Sequence, residues 1–498
     1  MFRKILIANR GEIAVRVIRA CREMGIRTAA IFSEADRESL HVRFADEAYL
    51  VGPAPSIESY LKIDRIIDIA KKSGAEAIHP GYGFLSENPD FAEACQQAGI
   101  VFIGPSPESM KAMGNKVYAR ELMSKSGVPV VPGTSNLPDN IEEIREMASA
   151  IGYPVIVKAS AGGGGKGMRI VEDQESLDGS IRAARSEAQS AFGDSSIYME
   201  KYFSAPRHIE VQILADLHGQ IVHLFERECS VQRRHQKLVE ESPSPVVDEK
   251  TRQKIGQIAV KAAQAANYTC AGTIEFLRSD KGDFYFMEVN ARLQVEHPVT
   301  EMITGVDLVK EMIKVAKGEK LPFKQEDLDM RGAAIECRIY AEDPANNFMP
   351  SPGLIKSLRI PEGPGIRHDS GIYSGYEIPV HYDPLIAKVI AWGENREEAI
   401  MRMGRSLEEY SIQGVRSTVP FHRELLRDRS FLNGDYNTSF IQTMNMGQNK
   451  PKEIKDIALI GAAIAAFDKK RERKPELKIL KQSQWKLAGR RRFLESKL

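Results

Sequence analysis

Carboxylates that face each other across a predicted hairpin are the first chemically informative feature of this sequence. The segments TIEFL (273–277) and FYFMEVN (284–290) are typical of two strands around a glycine-containing turn. Antiparallel pairing about the middle of that turn places Glu275 opposite Glu288. Facing carboxylates repel each other, and a divalent cation removes the repulsion. Because Mg²⁺ binds through carboxylates and substrate phosphates, Glu275, Glu288 and Asn290 are predicted to hold a metal ion.

Polar side chains continue at every second position after the hairpin. They share one face of an extended chain: Glu288, Asn290, Arg292, Gln294 and Glu296. Most alternating strands simply have a solvated face, and that alternative stays open here. Solvated faces, however, are usually built from Lys, Thr and Ser. Two carboxylates, two amides and a guanidinium therefore favour an active-site face.

A glycine-rich stretch, SAGGGGKGM (160–168), follows a predicted strand that ends at Lys158. Its backbone amides and Lys166 could surround a polyphosphate. The stretch is not a Walker A motif, because Lys166 is followed by Gly167 rather than by Ser or Thr. A flexible surface loop is the alternative. The strand lysine directly before the glycines favours a mobile lid over a nucleotide.

Two further clusters supply positive charge. The stretch 227–237 is basic and follows a predicted strand. By itself it is typical of a solvated loop, but beside a metal and a nucleotide it could bind phosphate or a small anion. Arg338 interrupts the apolar run 335–339, where it could form a structural ion pair or stabilise an anion.

The elements that must position these residues alternate between strand and helix in the first part of the chain. This alternation predicts a parallel sheet covered on both faces. Predicted strands are 4–8, 28–32, 77–79, 100–103, 155–158, 197–201, 208–215, 221–227, 272–277 and 284–289, and predicted helices are 11–24, 63–72, 107–126 and 177–192. Residues 331–445 combine strand-like runs with helices.

Composition narrows the class of protein. A chain of 498 residues suggests about three domains, and 42% hydrophobic with 28% charged residues is typical of a globular protein. No apolar run approaches the ~18 residues of a membrane span, and the start MFRKILIANRGE is too short for a secretory signal. Five scattered cysteines without CxxC spacing indicate reduced thiols. We therefore expect a cytoplasmic enzyme without a membrane or nucleic-acid partner.

Several long motifs resemble the biotin carboxylase family of the ATP-grasp superfamily. They are KILIANRGEIAVRVIRA (4–20), HPGYGFLSEN (79–88), FIGP (102–105), GNK (114–116), SAGGGGKGM (160–168), EKYF (200–203), RHIEVQ (207–212), ERECSVQRRHQK (226–237), MEVNARLQVEHPVTE (287–301) and ECRIYAEDP (336–344). The resemblance extends from residue 2 to about residue 445. Carbamoyl-phosphate synthetases and purine-pathway ligases share the hairpin carboxylates, but not HPGYGFLSEN or NARLQVEHPVTE.

The resemblance implies an α/β fold, α+β overall. An ATP-grasp domain with a glycine-rich lid lies between a Rossmann-like N-terminal domain and a smaller C-terminal α+β domain. On this basis the domains are expected at 1–113, 114–330 with a lid at about 131–203, and 331–445, followed by a basic helical tail at 446–498. A homodimer is also implied.

The resemblance further implies roles for individual residues. ATP would be bound by Lys116, Lys158, Gly164, Gly165, Glu200, Lys201, Phe203, His208 and His235. Glu275, Glu288 and Asn290 would hold Mg²⁺ or Mn²⁺, and Lys237, Arg292, Gln294 and the Val295 amide would bind bicarbonate. The catalytic residues would be Lys237, Arg292, Glu296 and Arg338, and biotin would meet Tyr82, Gly83 and Arg338. Phe203 departs from the pattern, since an aliphatic residue is expected at the adenine.

The implied chemistry begins with Glu296, which would deprotonate bicarbonate as a general base. The activated oxyanion attacks the γ-phosphoryl group of ATP to form carboxyphosphate, which yields CO2 and phosphate. The phosphate takes a proton from the biotin ureido nitrogen, and Arg338 offsets the charge that develops.

Biotin itself is expected on another protein. The sequence resembling a biotin attachment motif, Met110-Lys111-Ala112-Met113, lacks the second adjacent Met and lies on a predicted helix. The implied partners are therefore a biotin carboxyl carrier protein and a carboxyltransferase subunit. The residues beyond about 450 resemble extensions of separate carboxylase subunits, which favours the biotin carboxylase subunit of pyruvate carboxylase. Subunits of acetyl-CoA or propionyl-CoA carboxylase are the alternative.

Charge is unevenly distributed along the chain. The formal net charge is +1, yet residues 450–498 contain 15 Lys and Arg against 6 Asp and Glu. An acidic body is therefore joined to a basic tail, which indicates a segment that binds a partner subunit. Two rival functions remain: a regulatory subunit with a decayed nucleotide site, and an ATP-grasp ligase that joins a carboxylate to an amine.

Overall fold

The computed structural model describes residues 1–114, 116–134, 136–160, 168–444 and 461–464, with their side chains except those of Lys116, Val117 and Phe192. Residues 1–444 form one unit, and a second unit begins at Asn445. Of that second unit only one helical turn, 461–464, is described. The rest of the predicted tail and the glycines 162–165 thus lie outside the described residues. No described helix is long and apolar enough to cross a membrane.

The first part of the chain builds a parallel sheet of five strands in the order β3-β2-β1-β4-β5. Its strands are β1 Lys4–Ile7, β2 Arg27–Ser33, β3 Glu47–Gly52, β4 Ala77–His79 and β5 Val101–Phe102. Its helices are α1 Gly11–Glu23, α2 Leu40–Phe44, α3 Ile63–Ser73, α4 Pro89–Gln97 and α5 Pro107–Gly114. The predicted parallel sheet is confirmed. Strand β3, at the edge of this sheet, was not predicted, although its sequence EAYLVG contains the apolar run 48–51.

A small antiparallel sheet of three strands, in the order β7-β6-β8, packs one face against two helices of the central part of the chain. The elements are α6 Lys116–Lys125, α7 Ile141–Ile151, β6 Val155–Ala159, β7 Arg169–Val171, α8 Gln174–Phe192 and β8 Ile197–Lys201. Apolar residues of α7, α8 and the sheet form a core of their own. Helix α8 begins where the Asp173 side chain accepts a hydrogen bond from the Ser176 amide.

The largest sheet has eight antiparallel strands in the order β13-β12-β9-β10-β11-β14-β21-β19. Its first strands and the central helices are β9 Arg207–Ala215, β10 Ile221–Arg233, β11 Gln236–Ser242, α9 Glu249–Ala265, β12 Cys270–Arg278, β13 Phe284–Asn290, α10 His297–Thr304 and α11 Leu308–Ala316. The mixed fold class expected from the resemblance is therefore confirmed.

The last part of the chain completes this sheet with β14, β19 and β21 and adds short strand pairs. Its strands are β14 Ala333–Tyr340, β15 Glu342–Asp343, β16 Met349–Pro350, β17 Gly353–Leu354, β18 Ser357–Arg359, β19 Ile366–Ser370, β20 Glu377–Ile378, β21 Leu385–Gly393 and β22 Ser411–Gln413. Its helices are α12 Arg396–Glu409, α13 Val419–Leu425, α14 Arg429–Leu432 and α15 Phe440–Thr443.

Alternation along the strands of the large sheet separates a core from a polar face. On β9, Ile209, Val211 and Ile213 pack in the same apolar cluster as residues of α9. The residues between them, His208, Glu210 and Gln212, are also buried but polar. Because side chains alternate between the two faces of a sheet, these polar groups lie on the side opposite α9. That side is where the cleft described below is built.

Helix is confirmed over Pro107–Gly114 and Lys116–Lys125 of the predicted 107–126, and residue 115 lies outside the described residues. Two other sequence-based expectations need correction. The basic stretch after residue 227 is not a loop but the end of β10, a two-residue turn and the start of β11. The extended chain predicted over 288–296 ends at Asn290, and Glu296 begins helix α10.

The predicted pairing within the hairpin is observed, but it arises for a different reason than the one assumed. Glu275 does face Glu288, as predicted from a turn centred between Lys281 and Gly282. Nearer the turn, however, Phe276 pairs with Phe286, so that a β-bulge inserts one extra residue into β13. Without the bulge, Glu288 would point to the other face.

Candidate active site

Three carboxylates and an arginine form a row across four adjacent strands of the large sheet. The register pairs Glu288 with Glu275, Glu275 with Glu210, and Glu210 with Arg227. Glu210 and Arg227 have no exposed surface, and Glu275 is 4% exposed. Like charges directly opposite each other destabilise a sheet. This row therefore requires positive charges nearby that offset the repulsion between its carboxylates.

Lys237 on β11 supplies the first of these charges. Its ammonium Nζ lies 2.6 Å from Glu210 Oε2, 2.9 Å from Glu275 Oε1 and 2.6 Å from Glu296 Oε1. Burial alone would lower the pKa of Lys237, but the three carboxylates outweigh it and raise that pKa well above its ordinary value. The side chain is thus a permanent cation at the centre of the cluster.

Glu296 is held between two cations. Its Oε1 accepts the hydrogen bond from Lys237, and its Oε2 accepts one of 2.8 Å from Arg338 Nη2. Burial favours the neutral acid, but Lys237, Arg338 and Arg227 together hold the pKa of Glu296 well below its ordinary value. The group is therefore an ionised carboxylate without exposed surface. Arg338 also donates to Glu240 Oε1 at 2.6 Å.

Arg227 on β10 stabilises the end of the row at Glu210. Its guanidinium donates to Glu210 Oε1 at 2.6 Å and to Gln212 Oε1 at 2.7 Å, and further to the hydroxyls of Thr273 and Thr300. These contacts fix the Glu210 carboxylate, which in turn orients Lys237. Neither Glu210 nor Arg227 was assigned a role from the sequence. The polar alternation of β9, the same signal that pointed to residues 288–296, would have found Glu210.

Arg292 is positioned from the first part of the chain. Glu87 accepts from Arg292 Nε at 2.8 Å with one carboxylate oxygen and from the Ala291 amide at 2.8 Å with the other. Arg292 also donates to Asn290 Oδ1 at 3.2 Å. Glu87 lies in the HPGYGFLSEN motif, but no local signal in the sequence indicates that it reaches Arg292.

The other end of the cleft carries a second ionic cluster. Glu200 on β8 accepts from Lys158 Nζ and from Arg120 Nη1, both at 2.6 Å. Lys201 donates to the carbonyls of Gly152 and Tyr153 at 2.9 and 2.8 Å. The ring of Phe203 stacks on Tyr285 with centroids 5.3 Å apart. Arg120, which was not predicted from the sequence, also donates to the Val131 carbonyl.

These groups surround one cleft of about 1150 Å³. Among the described residues it brings together almost every residue singled out in the sequence: Tyr82, Gly83, Lys158, Glu200, Lys201, Phe203, His208, His235, Lys237, Glu275, Glu288, Asn290, Arg292, Gln294, Val295 and Arg338. Glu296 lies behind this lining and reaches it through Lys237 and Arg338. Gly164 and Gly165 and the side chain of Lys116 lie outside the described part of the chain.

The donor set at the hairpin fits a hard divalent cation. Glu275 and Glu288 are paired across the strands, and Asn290 follows Glu288 on the same strand. All three offer oxygen, the ligand type that Mg²⁺ prefers. Among the described residues the buried amide nitrogen of Asn290 has no hydrogen-bond partner. An unsatisfied buried N–H donor is unfavourable by itself, and an acceptor such as a phosphate oxygen would satisfy it beside the cation.

Family models account for most of the chain. Residues 1–110 match the biotin carboxylase N-terminal domain, 115–324 the ATP-binding domain of the carbamoyl-phosphate synthase L chain, and 336–443 the biotin carboxylase C-terminal domain. The chain belongs to the biotin carboxylase family. It is accordingly an ATP-dependent carboxylase of the ligase class, and the resemblance seen in the sequence is confirmed.

Curated relatives and a solved structure agree with this assignment. Biotin carboxylase 1 of Bacillus subtilis is 54% identical over 90% of this chain and 99% of its own length. A pyruvate carboxylase subunit of Methanothermobacter thermautotrophicus is 56% identical over 90% of this chain and 91% of its own. The biotin carboxylase domain dimer of Hydrogenobacter thermophilus 2-oxoglutarate carboxylase, solved with MgADP, ADP and bicarbonate, superposes with a TM-score of 0.84. It is 49% identical and covers 89% of this chain and 97% of that one.

Replacing Arg120 by Met tests the cluster around Glu200. Loss of the 2.6 Å ion pair leaves Glu200 with Lys158 alone, and we expect the Kd for ATP to rise ~10-fold, or about 1.4 kcal/mol. Isothermal titration calorimetry with ATP measures the change. Arg145→Met is the matched control, because Arg145 pairs with Asp178 outside the cleft and is 31% exposed. Its Kd should remain within about twofold, and an equal weakening in both variants contradicts the role of Arg120.

Proposed function

We propose that this biotin carboxylase carboxylates biotin carried on a separate protein, as the biotin carboxylase subunit of a pyruvate carboxylase. The observation that supports this most directly is the position of Glu296. It is an ionised carboxylate between Lys237 and Arg338, and these two cations line the same cleft as the hairpin carboxylates. A proton acceptor, anion-binding cations and a metal site thus converge on one space.

Bicarbonate would bind among Lys237, Arg292, Gln294 and the Val295 amide, directly in front of Glu296. In the free protein the two cations that contact Glu296 depress its pKa and make it a weak base. A bound anion shares those cations and places negative charge nearby, and both effects raise the pKa of a neighbouring carboxylate. Binding would therefore convert Glu296 into a stronger base at the moment when a proton must be removed.

The nucleotide would occupy the end of the cleft near Glu200, Lys201 and Phe203, with His208 and His235 also at its border. Its phosphates would extend past Lys158 toward Glu275, Glu288 and Asn290. A divalent ion held by these residues would neutralise charge on the phosphates during transfer of the γ-phosphoryl group. The chain's own contribution is to align bicarbonate with that group, so that carboxyphosphate forms.

Biotin would enter beside Tyr82 and Gly83, which border the same cleft. Arg338 lies at the junction, because it contacts Glu296 and Glu240 and is 7% exposed. It would stabilise the negative charge that develops on the ureido oxygen of biotin. Both half-reactions would thus share Arg338.

The biotin is expected on another chain, and this is directly testable. Met110–Met113 lie on α5, where Met110 and Met113 are buried, which does not suit an attachment hairpin. A streptavidin blot of the protein purified from cells with an active biotin ligase should show no band at 55.5 kDa. A band at that mass contradicts a separate carrier.

One comparison of lengths supports pyruvate carboxylase as the parent enzyme. The 448 matched residues make up 91% of the Methanothermobacter subunit, whereas 447 matched residues make up 99% of the Bacillus enzyme. The Methanothermobacter protein, like this chain, therefore has residues beyond the shared part. A subunit of acetyl-CoA or propionyl-CoA carboxylase is the alternative. The basic tail, 446–498, is proposed to bind a partner subunit.

Three further features belong to the same proposal. The domains are taken as 1–113, 114–330 and 331–445. A homodimer is supported by the dimeric biotin carboxylase domain of the Hydrogenobacter enzyme. A cytoplasmic location is supported by five buried cysteines that remain free thiols.

The rival functions are less well supported. A decayed regulatory subunit predicts that site residues are missing, yet Glu275, Glu288, Asn290, Arg292 and Glu296 are all present. Comparing ATP cleavage with bicarbonate and free biotin against ATP cleavage with amines separates carboxylation from carboxylate–amine ligation.

Reconstitution tests the parent carboxylase. The full chain is mixed with carrier and carboxyltransferase subunits, and pyruvate, 2-oxoglutarate, acetyl-CoA and propionyl-CoA are offered as acceptors. We expect transfer of ¹⁴C from labelled bicarbonate to pyruvate. Transfer to another acceptor alone contradicts the pyruvate assignment but leaves biotin carboxylation intact. Deleting 446–498 should abolish transfer through the carrier while free biotin is still carboxylated.

A further inference from the structure

A buried ion pair connects two loops of the cleft that come from different parts of the chain. Lys388 on β21 has no exposed surface, and Glu12 on α1 is 5% exposed. Lys388 Nζ lies 3.2 Å from Glu12 Oε1. The same ammonium donates to the Val295 carbonyl at 2.9 Å. Glu12 Oε1 in turn accepts from the Tyr82 hydroxyl.

The turn around Val295 is pinned at two consecutive peptide groups. The Gln294 carbonyl accepts from the ring nitrogen Nδ1 of His297 at 2.8 Å, and the Val295 carbonyl accepts from Lys388. A trans peptide directs its N–H opposite to its C=O. His297 therefore fixes the direction of the Val295 amide, and Lys388 fixes the following peptide, which leads into Glu296.

We propose that Lys388 and Glu12 are positioning residues that couple the bicarbonate-binding turn at Val295 to the biotin-facing Tyr82. The continuous chain of contacts from the Tyr82 hydroxyl through Glu12 and Lys388 to the Val295 carbonyl carries this proposal. It rests on the proposed roles of Val295 and Tyr82. Lys388 has no exposed surface and acts only through its contacts, whereas Glu12 also borders the cleft.

The neighbouring charges explain why Lys388 stays in place. Arg338 and Asp369 flank it on the adjacent strands β14 and β19. Asp369 is paired with Arg367 at 2.7 Å, and Arg338 is paired with Glu240 and Glu296. Among the described residues both carboxylate oxygens of the nearby Glu336 lack hydrogen-bond partners. Glu12 and the Val295 carbonyl are therefore the polar groups in direct contact with the Lys388 ammonium, which also lies 5.8 Å from the centroid of the Tyr82 ring.

The test separates positioning from stability by a double substitution. Lys388→Met leaves Glu12 buried without a cation, and we expect a lower Tm together with a ~10-fold or larger rise in the KM for bicarbonate. Adding Glu12→Gln removes the unpaired charge, so the Tm of the double variant should recover. Its KM values for bicarbonate and for free biotin should remain ~10-fold raised, because the link is still broken. The KM for ATP should stay within about twofold in both variants.

The same KM and Tm measurements on a matched control variant and on the wild type separate a positioning role from a loss of stability. Glu226→Gln removes a buried carboxylate whose partner, Arg252, lies on α9 outside the cleft. It should lower the Tm without changing any KM. The proposal is overturned if the KM for bicarbonate recovers together with the Tm in the double variant, or if all three KM values rise alike. Absence of bicarbonate-dependent ATP cleavage in the wild type would instead refute the proposed function itself.

Discussion

Replacing Glu296 by Gln is expected to reduce bicarbonate-dependent cleavage of ATP by ~10²–10⁴-fold, the usual contribution of a general base. The amide preserves the volume, but its single oxygen replaces only one of the two that accept from Lys237 and Arg338, and it cannot take a proton from bicarbonate. Initial rates of ADP release at saturating ATP and bicarbonate provide the measurement. The KM for ATP should change little, because the nucleotide end of the cleft does not contact Glu296.

The control for this variant is Glu241→Gln. Glu241 is nearly as deeply buried as Glu296 (2% exposed), but it pairs with Arg396 and Tyr436 outside the cleft. Its rate should stay within about threefold of the wild type, with any loss seen in the Tm. A Glu296→Gln enzyme with near-normal turnover would refute Glu296 as the base.

Replacing Lys237 by Met is expected to damage both stability and activity. Three buried carboxylates lose their shared cation, and breaking a buried ion pair from one side destabilises a protein by about 3–5 kcal/mol. The anion site in front of Glu296 is lost with it, so bicarbonate-dependent ATP cleavage should fall to background. Urea unfolding in EDTA reports the stability without interference from divalent ions.

The pH dependence of this loss has a definite sign. Burial opposes ionisation of Glu275 and Glu296, but Lys237 is the strongest of the groups that hold their pKa values below the ordinary range in the folded protein. Their pairing therefore stabilises the fold above the unfolded pKa of about 4.5 and is lost as the pH falls. The difference between wild type and Lys237→Met should be large at pH 7 and shrink as the pH falls below about 4. A constant difference contradicts an electrostatic origin.

Lys201→Met is the matched control, since Lys201 borders the same cleft but donates only to two backbone carbonyls. Its loss of stability should be about 1 kcal/mol and should not change over the same pH range. An equally large loss in both variants would contradict the special role of the three carboxylates around Lys237.

Local pattern allowed much of the site to be predicted. The opposition of Glu275 and Glu288, the polar alternation that begins at Glu288 and the lysine before the glycine stretch are all properties of short segments. The spacing of side chains along a strand and the residue types in a turn reveal these properties directly. The parallel sheet of the first part could be predicted for the same reason, since its buried strands are continuous apolar runs. Even so, the correct hairpin register depended on a bulge that turn chemistry did not reveal.

The contacts that assemble the cleft from distant segments could not be predicted in this way. Glu87 reaches Arg292 across more than two hundred residues, and Lys388 reaches both Glu12 and Val295. Arg227 was predicted only as part of a basic loop, although it is a fully buried strand residue. The residues next to them in the sequence give no sign that these charged groups form buried contacts rather than ordinary surface ion pairs.

The sequence by itself determined the chemistry of this protein: which side chains are available, in which local order, and the family to which they belong. The tertiary structure alone decided how their charges are balanced. A row of carboxylates across three strands is tolerable only where strand order and register bring Arg227 and Lys237 beside it. Electrostatic energy depends on distance and burial, and distances between segments far apart in the chain are set by the packing of the whole fold.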